Sequence, residues 1–343
     1  MITKSITLTL CLLTLMLAMY QCKRKDADPL EPDKGLVADI NKIEVLKVEL
    51  AEPAPVIATE SKIEASEQTT TLSAGINSLA ATGTEPASLK ASATQFSTSI
   101  SASDIAALTS VPGAVLKSVI GGAALPANLL AIVNKIAANP SLASYLPRIT
   151  MPTVAGKEVK GARISSGSAS EQVEATAISD ECLLKAQGEY DKVKEKLDAS
   201  HKTQLTGAAN EYASEIALLP AAQSACTTAT NTKYATLYAD AEALLNKLSA
   251  ALDARKESLG AEYDPLKALL YFEMLAYFNS LNVLQSADLQ SCTEKTKAAT
   301  INAQTALDKN NSAIEAAYRL ALDAADKAKA DLAQSCHNQG GGN

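Results

Sequence analysis

SLGAEYDP, residues 258–265, decides how the C-terminal half of this chain folds. Ser258-Leu259-Gly260 reads as a helix end and turn, because glycine tolerates the left-handed conformation that closes helices. Asp264 followed by Pro265 reads as a cap and a first-turn proline opening the next helix. Apolar residues keep near-heptad spacing on both sides of this turn. Before it run Tyr190, Val193, Leu197, Leu205, Ala208, Tyr212, Ile216 and Leu219, then Leu237, Ala241, Leu244, Leu248 and Ala251. After it run Ala303, Leu307, Ile314, Ala317, Ala321, Ala324 and Ala328. Such patterns define long amphipathic helices that pack lengthwise. Ser168 with Glu171 forms a capping-box start for the first of them. The expected fold is all-α: a long antiparallel helical hairpin or a four-helix bundle over 168–336. Pro220 separates the two, as a kink within one helix or the start of another.

The cysteines share this centre. Cys182 and Cys226 are 44 residues apart, and so are Cys292 and Cys336. The midpoint of 182 and 336 is 259, and so is the midpoint of 226 and 292. A chain folded back at 259 brings Cys182 to Cys336 and Cys226 to Cys292. The rival pairing joins Cys182 to Cys226 and Cys292 to Cys336, and requires a fold-back at DASHKT and at DKNNSA. Ser312 with Glu315 offers a capping box for the second of these. Asn310 occupies a core position of an otherwise unbroken heptad, where one polar residue can also fix register. Repeats of LD at 197–198 and 307–308, and of AQS just before Cys226 and Cys336, leave a duplication open as the source of the equal spacing. The nested pairing is favoured, and each such link contributes roughly 4 kcal/mol through the long loop it closes.

The N-terminal part is less regular. Residues 36–57 alternate around Ile43, Val45 and Val48, a pattern open to strand or short helix. Residues 58–111 predict two or three modest helices near Ile76 and Leu79, and near Ile100, Ile105 and Leu108, with turns at Gly83 and Pro86. LPANLLAIVNKIAANP predicts a helix from Pro126 to about Ala138. Together 36–147 form a smaller, mostly helical region. Residues 148–167, RITMPTVAGKEVKGARISSG, read as a linker and domain boundary, and 337–343 as a disordered tail.

Location is written at the N-terminus. Lys4 and the apolar run SITLTLCLLTLMLAMY have the form of a signal peptide over 1–21. AMYQCKRKDAD then places Cys22 at an abrupt change to charge, and 22–35 reads as a solvated tether. This resembles a bacterial lipoprotein signal, in which cleavage leaves a lipidated cysteine first. Gln21 and Met19 stand where the usual motif has a small residue and a leucine. The charged run after Cys22 is similar to the tethers of Bacteroidetes-type surface lipoproteins. The resemblance covers residues 1 to about 30. It implies an outer-membrane lipoprotein, periplasmic or surface-facing, with palmitate or a similar acyl chain on Cys22 and the membrane as its partner. Cys11 leaves with the signal, so the four remaining cysteines are even in number, which suits two disulfides in an oxidising compartment.

Composition excludes several functions. The chain is 47% hydrophobic but 4% aromatic, with no Trp, as close Ala- and Leu-rich helix packing requires. Net charge is −7, and losing Lys4 makes it −8, which argues against nucleic acid. His201 and His337 are the two histidines, and no zinc spacing exists, so no metal or other cofactor is expected. His201 with Asp198 lies on one helix face without a nucleophile, and reads as a solvated face. No P-loop, nucleophile elbow, HExxH or EF-hand loop occurs, and no catalytic residue is assigned.

Tyr263, Tyr271, Phe272, Tyr277 and Phe278 cluster around KALLYFEMLAYF. They read either as a buried central helix or as a patch for a protein, glycan or membrane partner. The leading expectation is a non-enzymatic, lipid-anchored helical envelope protein, structural or binding. The alternative is a membrane-active protein inserting 112–138 or 263–284, and an enzyme ranks below both.

Overall fold

The computed structural model describes residues 31–159 and 181–338. The signal segment, Cys22, the capping-box pair Ser168 and Glu171, and the glycine-rich tail lie outside them.

The fold is all-α. Helix α7 runs over Glu181–Asp253 and helix α9 over Tyr263–Asn338, joined by the short α8, Lys256–Leu259, and a 3-10 turn over Gly260–Glu262. The chain reverses where Gly260 takes φ +54°. Helix α9 begins at Tyr263, one residue before the Asp264-Pro265 pair, so both sit in its first turn. The reversal is stapled by side chains: Tyr263 donates to Asp253 Oδ1 at 2.5 Å, and Lys267 donates to the same oxygen at 2.6 Å.

Pro220 lies inside α7 without ending it. Its ring removes a backbone donor, and the position is exposed, so water can meet the carbonyl left unpaired. The four-helix alternative is therefore not adopted, and α7 and α9 form a hairpin. The disulfides are nested: Cys182–Cys336 and Cys226–Cys292, each with Cα atoms 5.8 Å apart.

The chain divides into two compact units, each discontinuous in sequence. The turn unit takes Pro53–Ser165 and Glu215–Ala303, and the terminal unit takes the remainder. In the turn unit, five helices precede the hairpin segment: α2 Glu67–Thr82, α3 Ala87–Ser99, α4 Ala102–Thr109, α5 Gly113–Ile120 and α6 Ala127–Ala137. Ser66 caps α2 by accepting from the Thr69 amide at 3.0 Å, which satisfies an amide the helix itself leaves unpaired. Gly83 ends α2 at φ +71°, and a Cβ there would meet the Arg255 guanidinium at 3.2 Å. These helices share one core with the hairpin. Phe96 of α3 meets Phe272 with ring centroids 6.1 Å apart, and Tyr238 stacks on Phe278 at 6.0 Å.

Residues 148–158, read from sequence as linker, carry three short strands: β3 Arg148–Thr150, β4 Thr153–Val154 and β5 Lys157–Glu158. β3 pairs antiparallel with β2, Lys62–Glu64, and β4 pairs antiparallel with both β1, Ala58–Thr59, and β5. Ile63 lies opposite Ile149 and Ala58 opposite Val154. β-branched residues supply the strand preference. Ala155 at φ +50° and Gly156 at φ +73° make the turn between β4 and β5. The bend between β1 and β2 is tied to the hairpin by Asp288. That carboxylate accepts from Ser61 Oγ at 2.6 Å, Tyr234 at 2.9 Å and Lys233 at 3.1 Å. Burial alone would raise the pKa of Asp288, but these three donors outweigh it and hold the group below the usual carboxylate range.

The terminal unit is simpler. Helix α1, Lys34–Ile40, is capped by Asp33, and residues 41–52 follow with neither helix nor strand pairing. This extended strap answers the helix-or-strand question for 36–57: a helical start, then extended chain. Its core joins Ile40 and Val45 to Ala186, Tyr190, Val193, Leu197, Ala321, Ala325 and Leu332. Two side-chain amides hold the strap. Gln204 accepts from the Val48 amide at 2.9 Å. Asn310 accepts from the Ala51 amide at 2.7 Å and donates to the Ala51 carbonyl at 3.2 Å.

Candidate functional site

The first third of α9 is apolar around most of its circumference, because α7 and the shorter helices of the turn unit surround it. Between Lys267 and Asp288 it carries a single charged residue, Glu273. That side chain is 3% exposed, and its Oε1 has no hydrogen-bond partner. Burial is the dominant influence and pushes its pKa from 4.5 up to about 8, with the Thr69 hydroxyl acting weakly against the rise. Glu273 is therefore mostly a neutral acid at pH 7.

Glu273 lines a cleft of about 310 Å³ within the turn unit, the small end of the range for ligand pockets. Leu237, Ala241 and Leu244 of α7 form one wall, Met274 and Tyr277 of α9 another, and Ile63, Ala65 and Pro147 contribute from the strand region. The other polar groups of the lining are already engaged or lie at the rim. Thr69 Oγ1 donates to the Tyr145 carbonyl, and the Tyr145 hydroxyl lies 3.2 Å from both Ser92 Oγ and Gln95 Oε1. Asp240 is exposed. Among the lining residues there is no Lys, Arg or His. Burial, then the nearby Asp240, raises the Tyr277 hydroxyl above its ordinary value, so it stays protonated. The cleft thus offers hydrocarbon walls, one unsatisfied carboxyl and a second carboxylate outside.

A second recess, beside the Cys226–Cys292 bridge, is polar and lined by Lys233, Asp288, Ser291 and Lys295. Its central carboxylate already receives three donors, and its place in the fold is to anchor Ser61.

The sequence-derived sites fall as follows. The aromatic cluster does not form an exposed patch. Phe272 and Phe278 are fully buried, Tyr263 is buried, and Tyr271 and Tyr277 are half-buried. The buried-central-helix reading describes them, since the helices that cover α9 draw its rings into the core. Asp198 and His201 are not a proton-transfer pair. Asp198 accepts from Tyr318 at 2.5 Å and Lys194 at 2.6 Å, while the His201 ring stacks on Tyr318 at 4.2 Å. His201 Nε2 lies 3.1 Å from Glu315 Oε2, off the line a hydrogen bond requires. Among the described residues, no cluster of His, Cys, Asp or Glu suits a metal ion, and no single helix is long and apolar enough to cross a membrane. Glu273 escaped the reading of the sequence. Its one signal was a lone charge in an apolar helical run, and the rings on either side drew attention first.

Comparisons with family models, characterised proteins and solved structures return no match.

Proposed function

We propose that this chain is a non-enzymatic, lipid-anchored protein of the bacterial envelope that binds a small apolar ligand in the cleft beside Glu273. The observation that carries the binding reading is the Glu273 Oε1, buried without a partner at the wall of an apolar cleft. Leaving a buried polar atom unmatched costs roughly 1–3 kcal/mol, a penalty that a ligand able to reach it removes. The signal-like N-terminus, Cys22 and the two disulfides support the envelope location.

Titration with the neutral fluorophore N-phenyl-1-naphthylamine tests binding. The expected result is saturable 1:1 binding that weakens at least tenfold in Leu244→Trp, where the larger ring narrows the cleft. Absence of saturable binding, or equal binding by the variant, overturns the reading. The anchor is tested separately by the mass of the N-terminal peptide from a membrane fraction. That peptide is expected to begin at Cys22 and carry acyl chains, and an unmodified Cys22 removes the anchor.

A further inference from the structure

We propose that the cleft takes an apolar ammonium ion, its charged head against Glu273 and its hydrocarbon along Leu237, Leu244 and Met274. The inference rests on the binding reading above and adds the chemical class of the ligand.

The charge distribution selects the class. The titratable groups facing the cleft are Glu273 and Tyr277 from α9, Asp240 from α7, and Tyr145 from the turn before β3. Both groups able to carry charge are acids, so Asp240 repels a carboxylate or phosphate ligand at the mouth and no cation in the lining holds one inside. A neutral alcohol can satisfy Glu273 Oε1 with one hydrogen bond but gains nothing from Asp240. An ammonium ion gains from both: Asp240 attracts it at the mouth, and Glu273 pairs with it inside, where low polarity strengthens the attraction. The hydrocarbon walls then require the remainder of the ligand to be apolar, since hydrophilic polyamines would find no further partners among the lining residues.

Binding has a defined proton balance. The free protein holds Glu273 as the neutral acid near neutral pH, and the ammonium ligand arrives carrying its own proton. An ion pair forms only when the Glu273 proton leaves to solvent, so one proton is released for each ligand bound. Affinity therefore rises about tenfold per pH unit while Glu273 is protonated in the free protein. It levels off above about pH 8. It falls again once the amine loses its charge, near pH 10 for an alkyl amine.

The experiment is isothermal titration of the mature, disulfide-bonded chain with 2-phenylethylamine, 2-phenylethanol and 3-phenylpropionate, at pH 6.5 and 8.5. The amine is expected to bind most tightly, with affinity more than tenfold higher at pH 8.5. Repeating the pH 6.5 titration in two buffers of different ionisation enthalpy should show close to one proton released, a readout that needs no variant. Glu273→Gln should remove the preference for amine over alcohol. The inference is overturned if the alcohol or the acid binds as tightly as the amine, if affinity is flat with pH, or if the variant keeps the preference. Saturable binding of the neutral fluorophore without amine binding defeats this inference alone. Failure of both defeats the binding reading as well.

Discussion

In the turn unit, α7 and α9 are covered by five shorter helices, and the shared core holds Phe96, Tyr234, Phe272 and Phe278. In the terminal unit the same two helices meet through a smaller core in which Ala186, Ala321 and Ala325 sit beside Tyr190, Val193, Leu197 and Leu332, and their cover is one short helix and an extended strap. Each buried apolar side chain contributes in proportion to its area, at roughly 25 cal/mol per Å². Alanine contacts therefore yield far less than ring contacts. A two-helix pair with so small a seam needs other support, and here it has a disulfide and two side-chain amides. The turn unit has apolar burial in excess. It keeps an ionisable residue inside and a cleft open, features that only a well-covered core can sustain.

The comparison breaks most directly at the outer disulfide. Cys182–Cys336 spans 154 residues, and closing such a loop is worth about 5 kcal/mol in the chain-entropy model. Replacing both cysteines by serine should open the terminal unit first. Hydrogen exchange should speed at amides near Tyr190, Leu197 and Ala325, while those near Leu269 and Leu275 keep their protection. The same change at Cys226 and Cys292, separated by 66 residues, should have a smaller local effect, because Asp288 and the ring core still hold that neighbourhood. Equal loss of protection in both units would contradict the contrast.

Glu273 provides the next largest test, with a gain in stability. Its pKa is 4.5 in the unfolded chain and about 8 in the folded one. Between these values the unfolded chain has released the proton and the folded chain retains it. Stability is therefore fullest below about pH 4.5 and falls as pH rises toward 8. At pH 7 the penalty is about 3 kcal/mol by this linkage. Glu273→Met should remove most of it and flatten the slope of stability between pH 5 and 8, measured by urea unfolding at several pH values. A variant less stable than the parent at pH 7 would show that Glu273 is satisfied by a group other than a ligand.

The units also differ in how far their sequences announce them. The hairpin was legible because heptad spacing and the common centre of the cysteines point to one turn at Gly260. The strap's extended part was not, since its tertiary partners, Gln204 and Asn310, are more than 150 residues away in sequence. The strand region at 148–158 was read as linker because strands of two or three residues hardly show periodicity. The seam of α7 was placed nearly correctly, and the error is informative. Leu237 and Leu244 kept the heptad, but Tyr238 and Leu245 are the buried residues, at 6% and 1% exposure. The apolar stripe is wider than one seam, because in the turn unit it faces both α9 and the shorter helices. Leu237 and Leu244 fall at the edge of that stripe and become a cleft wall. A similar slip occurs in α9, where Ala324 is exposed and Ala325 is buried. The sequence thus contained the residues of the cleft wall without showing that they stood apart from the core.

Asn310 sharpens the comparison from the terminal side. Its side chain is 5% exposed and meets both backbone groups of Ala51. Asn310→Ala should cost about 1 kcal/mol, because it leaves the part-buried amide and carbonyl of Ala51 without their side-chain partner. The loss should be local. Proteolysis within 43–52 should accelerate, with little change at the reversal around Gly260. If the strap remains protected, the contacts of Ile40 and Val45 suffice to hold it.

The smallest expected effect concerns Tyr318. Burial would raise the pKa of Asp198, but hydrogen bonds from Lys194 and Tyr318 outweigh that and lower it. Tyr318→Phe deletes one of the two donors and keeps the ring that stacks on His201, so the loss should be only about 0.5–1 kcal/mol. Tyr318→Ala removes the stack as well and should lose more. A carboxyl with a depressed pKa contributes above its unfolded pKa, and the contribution disappears as pH falls through the folded value. The difference between parent and Tyr318→Phe should therefore be full at neutral pH and shrink in acid, as urea unfolding across that range would show. No difference at neutral pH would mean that Lys194 alone sets the charge state of Asp198. The terminal unit would then rest on its disulfide, strap and alanine seam without help from this pair.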